Sequence, residues 1–245
     1  MIIESLTNKK IKEVVKLKNK NNRDSKNKFI IETKNLIEEA IKNNLLEELY
    51  VLENTSIDFF VPDDVNIFFV KDLVFNKISS LNTSKYLGIC KKINDNGFFG
   101  KRFLLLDNIQ DPGNLGTIIR TALGFNIDTI IISVDSCDMY NDKVIRASEG
   151  AIFKINIIRE DLTKAINILK DRNFIIYGTD VINGMPPKDI KVKNNFALIV
   201  GNEGNGVRPN IKDLCDKNIY ININKDLESL NVSIATAIIL YEFNR

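Results

Sequence analysis

The sequence contains no histidine. That absence removes the commonest general base of enzyme sites, the Ser-His and Cys-His nucleophile pairs, and most zinc sites. Cysteine is scarce as well. Cys90, Cys137 and Cys215 are far apart, odd in number and form no metal-spaced pair, so no metal is expected, and a cytosolic setting would keep the thiols reduced. No run of about 18 uncharged apolar residues occurs, which excludes a membrane-spanning helix. The start, MIIESLTNKKIKEVVK, lacks the continuous apolar core of a signal peptide. A soluble, cytoplasmic protein is expected, whose chemistry rests on Arg, Lys, Asp, Glu, Ser, Asn or backbone groups.

Apolar residues make up 44% of the 245 positions. That suffices for a packed core, and the length makes two domains the natural expectation. The net charge is only +2 but is unevenly placed: residues 1–28 hold eight Lys and one Arg against Glu4, Glu13 and Asp24. Such a basic arm, with Lys9, Lys10 and Arg23 as candidate contacts, suits a polyanion such as nucleic acid. It is equally the solvated face of a helix in a chain rich in Lys and Asn.

Hydrophobic periodicity alternates strands with helices throughout. KIKEVVKLKNK has helical spacing at Ile11, Val14, Val15 and Leu17. FIIE (29–32), LEELYVLE (46–53), VNIFFV (65–70) and KYLGICKKI (85–93) read as strands, with helices at 33–45 and 71–81. This is a small α/β domain over 1–95. The polar, glycine-bearing NDNGFFG (94–100) is the linker candidate, and a second α/β series fills 101–245. Its strands, RFLLLD, TIIISV, KINII, FIIYGTD, NFALIV and KNIYINI, are apolar on both faces, the pattern of a mostly parallel sheet covered on both sides.

In an open parallel sheet ligands gather at the C-terminal ends of the strands. Four polar or glycine clusters occupy such ends here: DNIQDPGNLG, GTDV, GNEGNG and NKDLESLN. They suggest a site. It is not a Rossmann site, because the first strand of the series is not followed by G-x-G-x-x-G, and the P-loop pattern is missing as well.

The ordered series DNIQDPGNLGTIIRTALGF, VIRASEGAIF, IVGNEGNGV and SLNVSIATAI resembles the motifs of the SpoU-type (TrmH-like) RNA 2′-O-ribose methyltransferases of the SPOUT superfamily, over roughly residues 102–245. The stretch FIIETKNLIEEAI followed by LEELYVL resembles that family's substrate-binding domain, an L7Ae/L30e-like α/β module, although the family usually has glycine at the position of Thr33. The resemblance implies an α/β SPOUT-type parallel sheet with a C-terminal trefoil knot, S-adenosylmethionine bound by the knotted loops, and a homodimer with the site beside its interface. It implies transfer of a methyl group to a ribose 2′-OH, most readily of 23S or other rRNA. A tRNA substrate, or a non-catalytic RNA- or ribosome-binding role on the same fold, is the alternative.

Carried over residue by residue, the resemblance implies catalytic roles for Asn114, Arg120, Glu203, Ser229 and Asn231. It implies cofactor contacts from Thr179, Val200, Gly201, Asn202, Gly204, Ile221 and Leu230, with Asp180 a weaker pocket candidate. Asn222 and Lys225 stand where the family often has proline and glycine. Glycine at 201 would let the main chain approach a ligand closely. Arg146, in RASEGA, is a candidate for RNA phosphate or for a surface pair with Glu149 or Asp142. Asn114 is also a natural cap for its helix, and Ser229 a natural cap for the last one, with Asn231 in its first turn. Asn114 and Arg120 lie six apart, within about 120° of each other around a helix axis. Arg120 would sit at the reacting hydroxyl, but a guanidinium with a pKa above about 12 rarely gives up its proton, which favours orienting the hydroxyl or holding a phosphate.

Overall fold

A computed structural model describes residues 2–180, 184–192 and 195–245. The chain divides into two compact units, one of residues 1–94 with 140–153, the other of 95–139 with 154–245.

The first unit opens with β1 (Ile2–Ile3), α1 (Lys9–Lys16) and α2 (Lys20–Lys26), followed by β2 (Lys28–Glu32), α3 (Lys34–Lys42), β3 (Leu46–Leu52), β4 (Asn66–Val70), α4 (Asp72–Ile78) and β5 (Tyr86–Lys91). The strands form one sheet in the order β1-β4-β3-β5-β2, with β5 antiparallel to both its neighbours. Ile11, Val14 and Leu17 pack with Val74, Phe75 and Ile78 over Tyr50 and Leu87 of the sheet. Periodicity finds α1 because its apolar face is regular. It misses α2, whose sequence KNNRDSK has no apolar face.

Arg23 anchors α2 instead. It is only 7% exposed, and its guanidinium donates to the carbonyls of Leu17 (2.9 Å) and Lys18 (2.9 Å). These are carbonyls that the end of α1 leaves unsatisfied. Of the candidate RNA contacts, Arg23 is the one whose guanidinium is turned inward, Nη1 serving both backbone carbonyls.

Thr33, between β2 and α3, has φ of +85°, a region that β-branched residues rarely enter. The turn is held by its neighbours. Buried Glu32 accepts from Ser80 N (2.8 Å), Ser80 Oγ (2.6 Å) and Leu81 N (3.3 Å), which fastens the end of β2 where the turn begins.

The second unit begins with β6 (Arg102–Leu106), α5 (Pro112–Gly124) and β7 (Thr129–Ile132). The chain then contributes α6 (Asp142–Ala147) and a short 3-10 turn (Ala151–Phe153) to the first unit. There the Tyr140 ring lies 4.7 Å from that of Phe29, and its hydroxyl accepts from Ile93 N at 2.9 Å. The second unit resumes with β8 (Asn156–Arg159), α7 (Leu162–Asp171), β9 (Ile175–Asp180), β10 (Phe196–Val200), α8 (Pro209–Lys212), β11 (Lys217–Tyr220) and α9 (Val232–Phe243). Its six strands run in the order β11-β9-β10-β6-β7-β8, and every neighbouring pair is parallel. β7 and β10 are buried at every position, as expected for strands covered on both faces. Parallel pairing sends the segments after β6, β9, β10 and β11 out over one edge. Among the described residues, no helix is long and apolar enough to cross a membrane.

Thr33→Gly is expected to raise the unfolding free energy by about 1 kcal/mol, measured by urea denaturation. An unchanged or lowered midpoint would mean that the turn stores no strain.

Candidate active site

The site is built on the segments that follow β6 and β10. After β6 the chain turns through Asp107–Gln110 into α5. Asp111 caps that helix, accepting from Asn114 N at 2.8 Å, and Pro112 occupies its first turn, where a missing N–H costs nothing. Because Asp111 does the capping, the Asn114 side chain is free for longer-range bonds. Its amide donates to Glu203 Oε1 (2.9 Å), and its carbonyl accepts from Asn231 Nδ2 (2.9 Å). Asn231, not Ser229, caps α9: its Oδ1 accepts from Ser233 N and Ile234 N. Asn231 can do both jobs because its two amide atoms have separate roles, Oδ1 for the helix and Nδ2 for Asn114. Ser229 lies before the cap, exposed.

After β10 the backbone closes on itself. Asn202 N donates to Gly206 O (3.0 Å), and Gly206 N to Asn202 O (2.9 Å). The Asn202 side chain fills the turn, accepting from Gly204 N and Asn205 N, while its Nδ2 donates to Asn108 O at 2.9 Å. A Cβ on Gly201 would stand 2.1 Å from the Gly206 carbonyl carbon and 2.2 Å from Val207 N. Glycine is thus needed at 201 by the loop's contact with its own backbone, before any ligand is considered.

A cavity of about 350 Å³ opens against this loop, at the lower end of the range for small-molecule sites, about 300–1,000 Å³. Thr179, Val200, Gly201, Asn202, Gly204, Ile221 and Leu230 line it, with Glu203 and Ser229. Its apolar wall also includes Ile219, Ile223 and Ile239. Three carboxylates, of Asp180, Glu203 and Glu228, face one ammonium, of Lys212, which pairs with Asp180. The interior thus carries an excess of negative charge, which favours a cationic ligand and disfavours a phosphate.

Arg120 is not drawn into this network. It lies exposed on α5 and makes no hydrogen bond or ion pair with a described residue. Arg146 belongs to the first unit, where it pairs with Asp142 at 2.8 Å and donates to Ser80 Oγ at 3.1 Å. Lys9 and Lys10 are exposed; Lys10 lies 3.5 Å from Glu48 and over the Phe68 ring. A polar groove of about 270 Å³ beside β3 contains Lys28 and Lys91, but both are paired with its own Glu47. Burial pushes the Cys137 and Cys215 thiols up to about 11, so neither is a poised nucleophile. Among the described residues no group of three or more His, Cys, Asp or Glu could hold a metal ion.

Residues 101–241 match the model of the SpoU rRNA methylase family. The chain belongs to that family. Residues 8–87 match a second model, that of the MRM3-like substrate binding domain. The chain is 34% identical over 241 residues to the 23S rRNA (guanosine(2553)-2′-O)-methyltransferase RlmP of Bacillus subtilis, spanning 98% of this chain and 97% of that one. Among solved structures, a TrmH-family protein from Porphyromonas gingivalis superposes with a TM-score of 0.88 at 25% identity over 98% of both chains. An AdoMet-bound rRNA methyltransferase from Sinorhizobium meliloti gives 0.88 at 24% identity, over 99% of this chain and 97% of that one, a likeness of fold. The SpoU span contains α5, the loop after β10 and the cap of α9, the parts joined by the Asn231–Asn114–Glu203 chain.

Sequence reasoning overlooked the anchorage of the loop. Asp107 is fully buried and is met by Arg208, whose Nε donates at 2.7 Å. The signal was present: a carboxylate directly after an all-apolar strand needs a partner, and Arg208 ends the glycine loop.

Gly201→Ala is expected to lower the unfolding free energy by about 2 kcal/mol, because the added methyl forces the loop off its own backbone. Urea denaturation checks it; wild-type stability would mean that the loop has room to yield.

Proposed function

We propose that this SpoU-family chain is a cytoplasmic RNA methyltransferase that uses S-adenosylmethionine to methylate a ribose 2′-oxygen of rRNA, 23S rRNA first. The observation that carries this reading is the Asn231–Asn114–Glu203 chain beside a negatively charged cavity walled by the loop after β10. The donor's methyl is carried on a sulfonium, a cation suited to that excess of carboxylate. The apolar wall of Ile219, Ile221 and Leu230 and the backbone of Gly201–Gly204 suit its adenosyl part, with Thr179, Val200 and Asn202 completing the pocket.

In this reading Glu203 holds Asn114, Asn114 holds Asn231, and Asn231 stands between Leu230 and Val232, which line the pocket with Ser229. The network fixes the α5 N-terminus relative to the cavity and so aligns the two reacting groups, the largest contribution a protein can make to an in-line transfer. Arg120 keeps its proton; its uncommitted guanidinium is available to orient the hydroxyl or hold the adjacent phosphate. Lys9, Lys10 and Arg146 are the proposed RNA contacts of the first unit, whose match to a substrate binding domain supports the role. A 2′-hydroxyl acceptor confines the activity to RNA.

The trefoil threading of the C-terminal segment and a homodimer belong to the same reading. Supporting the first, β10 is inserted between β9 and β6, and β11 then adds outside β9. Supporting the second, Ile234, Ile238 and Tyr241 are 54%, 38% and 55% exposed on one face of α9, an apolar strip at helical spacing that the described residues leave partly uncovered.

The test uses bulk rRNA and tRNA, separately, with methyl-labelled S-adenosylmethionine and alkaline hydrolysis of the product. Label in alkali-resistant dinucleotides from rRNA is expected, since a methylated 2′-oxygen cannot attack its phosphate. Label in mononucleotides would overturn ribose methylation, and label from tRNA alone would overturn the rRNA assignment. Arg120→Ala is expected to lower transfer about 100-fold or more while donor binding, read by calorimetry, is spared. Full activity would remove Arg120 from the site. Ile238→Glu is expected to convert a dimer to monomers by light scattering; a wild-type protein already monomeric at micromolar concentration would end the dimer proposal.

A further inference from the structure

We infer that Arg208 is a positioning residue for the methyl donor, a clamp that holds the loop 201–207 closed against the cavity. The inference rests on the proposed function for the identity of the ligand, but the geometry of the clamp stands by itself.

Asp107, the first residue after β6, is 0% exposed. Its carboxylate is met three times by one residue: Arg208 N donates to Oδ2 at 2.8 Å, Arg208 Nε donates to Oδ1 at 2.7 Å, and Nη2 lies 2.5 Å from Oδ1. The outer nitrogen, Nη1, donates to Asp135 at 2.8 Å. The Arg208 pKa is raised, chiefly by the hydrogen bond to Asp107. A planar guanidinium reaches the two carboxylates through separate nitrogens held in a fixed fork; an ammonium has a single nitrogen for both.

The position of the clamp in the chain gives it a function. Val207, immediately before it, is buried and lines the cavity; Pro209, immediately after it, opens α8, from which Lys212 faces the same cavity. At the other end of the loop, Asn202 is tied to Asn108 O, and in the middle Glu203 is tied to Asn114. The loop that walls the cavity is thus fastened at both ends to consecutive residues, Asp107 and Asn108. The Gly201–Gly206 backbone contact leaves no side chain to wedge it shut. Val207 at its end is the loop's one apolar anchor in the core; residues 201–206 before it close only as far as their polar anchors hold them. Arg208 is the anchor with a fully buried partner. It touches neither reacting atom, so its effect falls on how often the cavity wall is formed, hence on donor affinity and not on the transfer step.

The test avoids Arg208→Ala, which would orphan the buried Asp107 charge. Arg208→Lys keeps a cation beside Asp107 but cannot reproduce the fork. Asp135→Asn weakens the outer, exposed arm and leaves the buried Asp107 pair in place, although Asp135 also bonds to Ser133. Two readouts are taken on the full chain: calorimetric dissociation constants for S-adenosylmethionine and S-adenosylhomocysteine, and amide hydrogen exchange without any ligand. Arg208→Lys is expected to weaken binding about tenfold and to speed exchange across 202–207, with β10 protected as in wild type and kcat at saturating donor within about twofold. Asp135→Asn is expected to weaken binding about two- to threefold. Unchanged dissociation constants in both variants overturn the clamp. So does exchange that rises equally in β10 and the loop, the mark of a merely structural ion pair. A wild-type protein that binds neither ligand overturns the proposed function instead, and the ligand-free exchange of the loop still decides whether Arg208 holds it closed.

Discussion

The insertion of β10 between β6 and β9 is the constraint on which the site depends. Because all three strands run in the same direction, their C-terminal ends meet on one edge, and the loops that leave them have no choice but to be neighbours. Leu106 pairs with Val200 in register, so Asp107 and Gly201, the next residue of each chain, start side by side. The bonds between the two loops, Asn202 to Asn108, Arg208 to Asp107 and Glu203 to Asn114, are consequences of that register. A slip of β10 by one residue would turn each of its side chains to the opposite face and part Arg208 from Asp107.

This arrangement divides labour between backbone and side chain. The loop after β10 supplies a backbone wall, for which it must lack a Cβ at 201. Side chains on its partners supply the fastening. The amides of Asn114, Asn202 and Asn231 each accept through oxygen from one segment and donate through nitrogen to another. A carboxylate could accept both kinds of bond but donate neither, so asparagine suits a network that must both cap helices and cross between segments.

Much of this was legible in the sequence, and the rest was hidden for physical reasons. The strands of the second unit were readable because burial on both faces leaves continuous apolar runs. The gathering of their ends followed from parallel pairing. α2 was not readable, because it is held by one buried arginine whose charge made it look like a surface cation. The capping roles of Asp111 and Asn231 were displaced by three and two residues from where spacing put them, since Asn114 and Ser229 have the same capping chemistry and only the actual start of each helix decides between them. The lone guanidinium of Arg120 and the pairing of Arg146 with Asp142 could not be separated by composition, which records charge but not partners.

The segment 140–153 has a consequence for where the chain can be divided. It lies inside the stretch of sequence matched to the SpoU model, 101–241, yet it is part of the first compact unit, where Tyr140 covers Phe29. A cut at residue 94 alone would therefore not separate the two units, because the first one is completed by a piece of chain that comes after the second has begun.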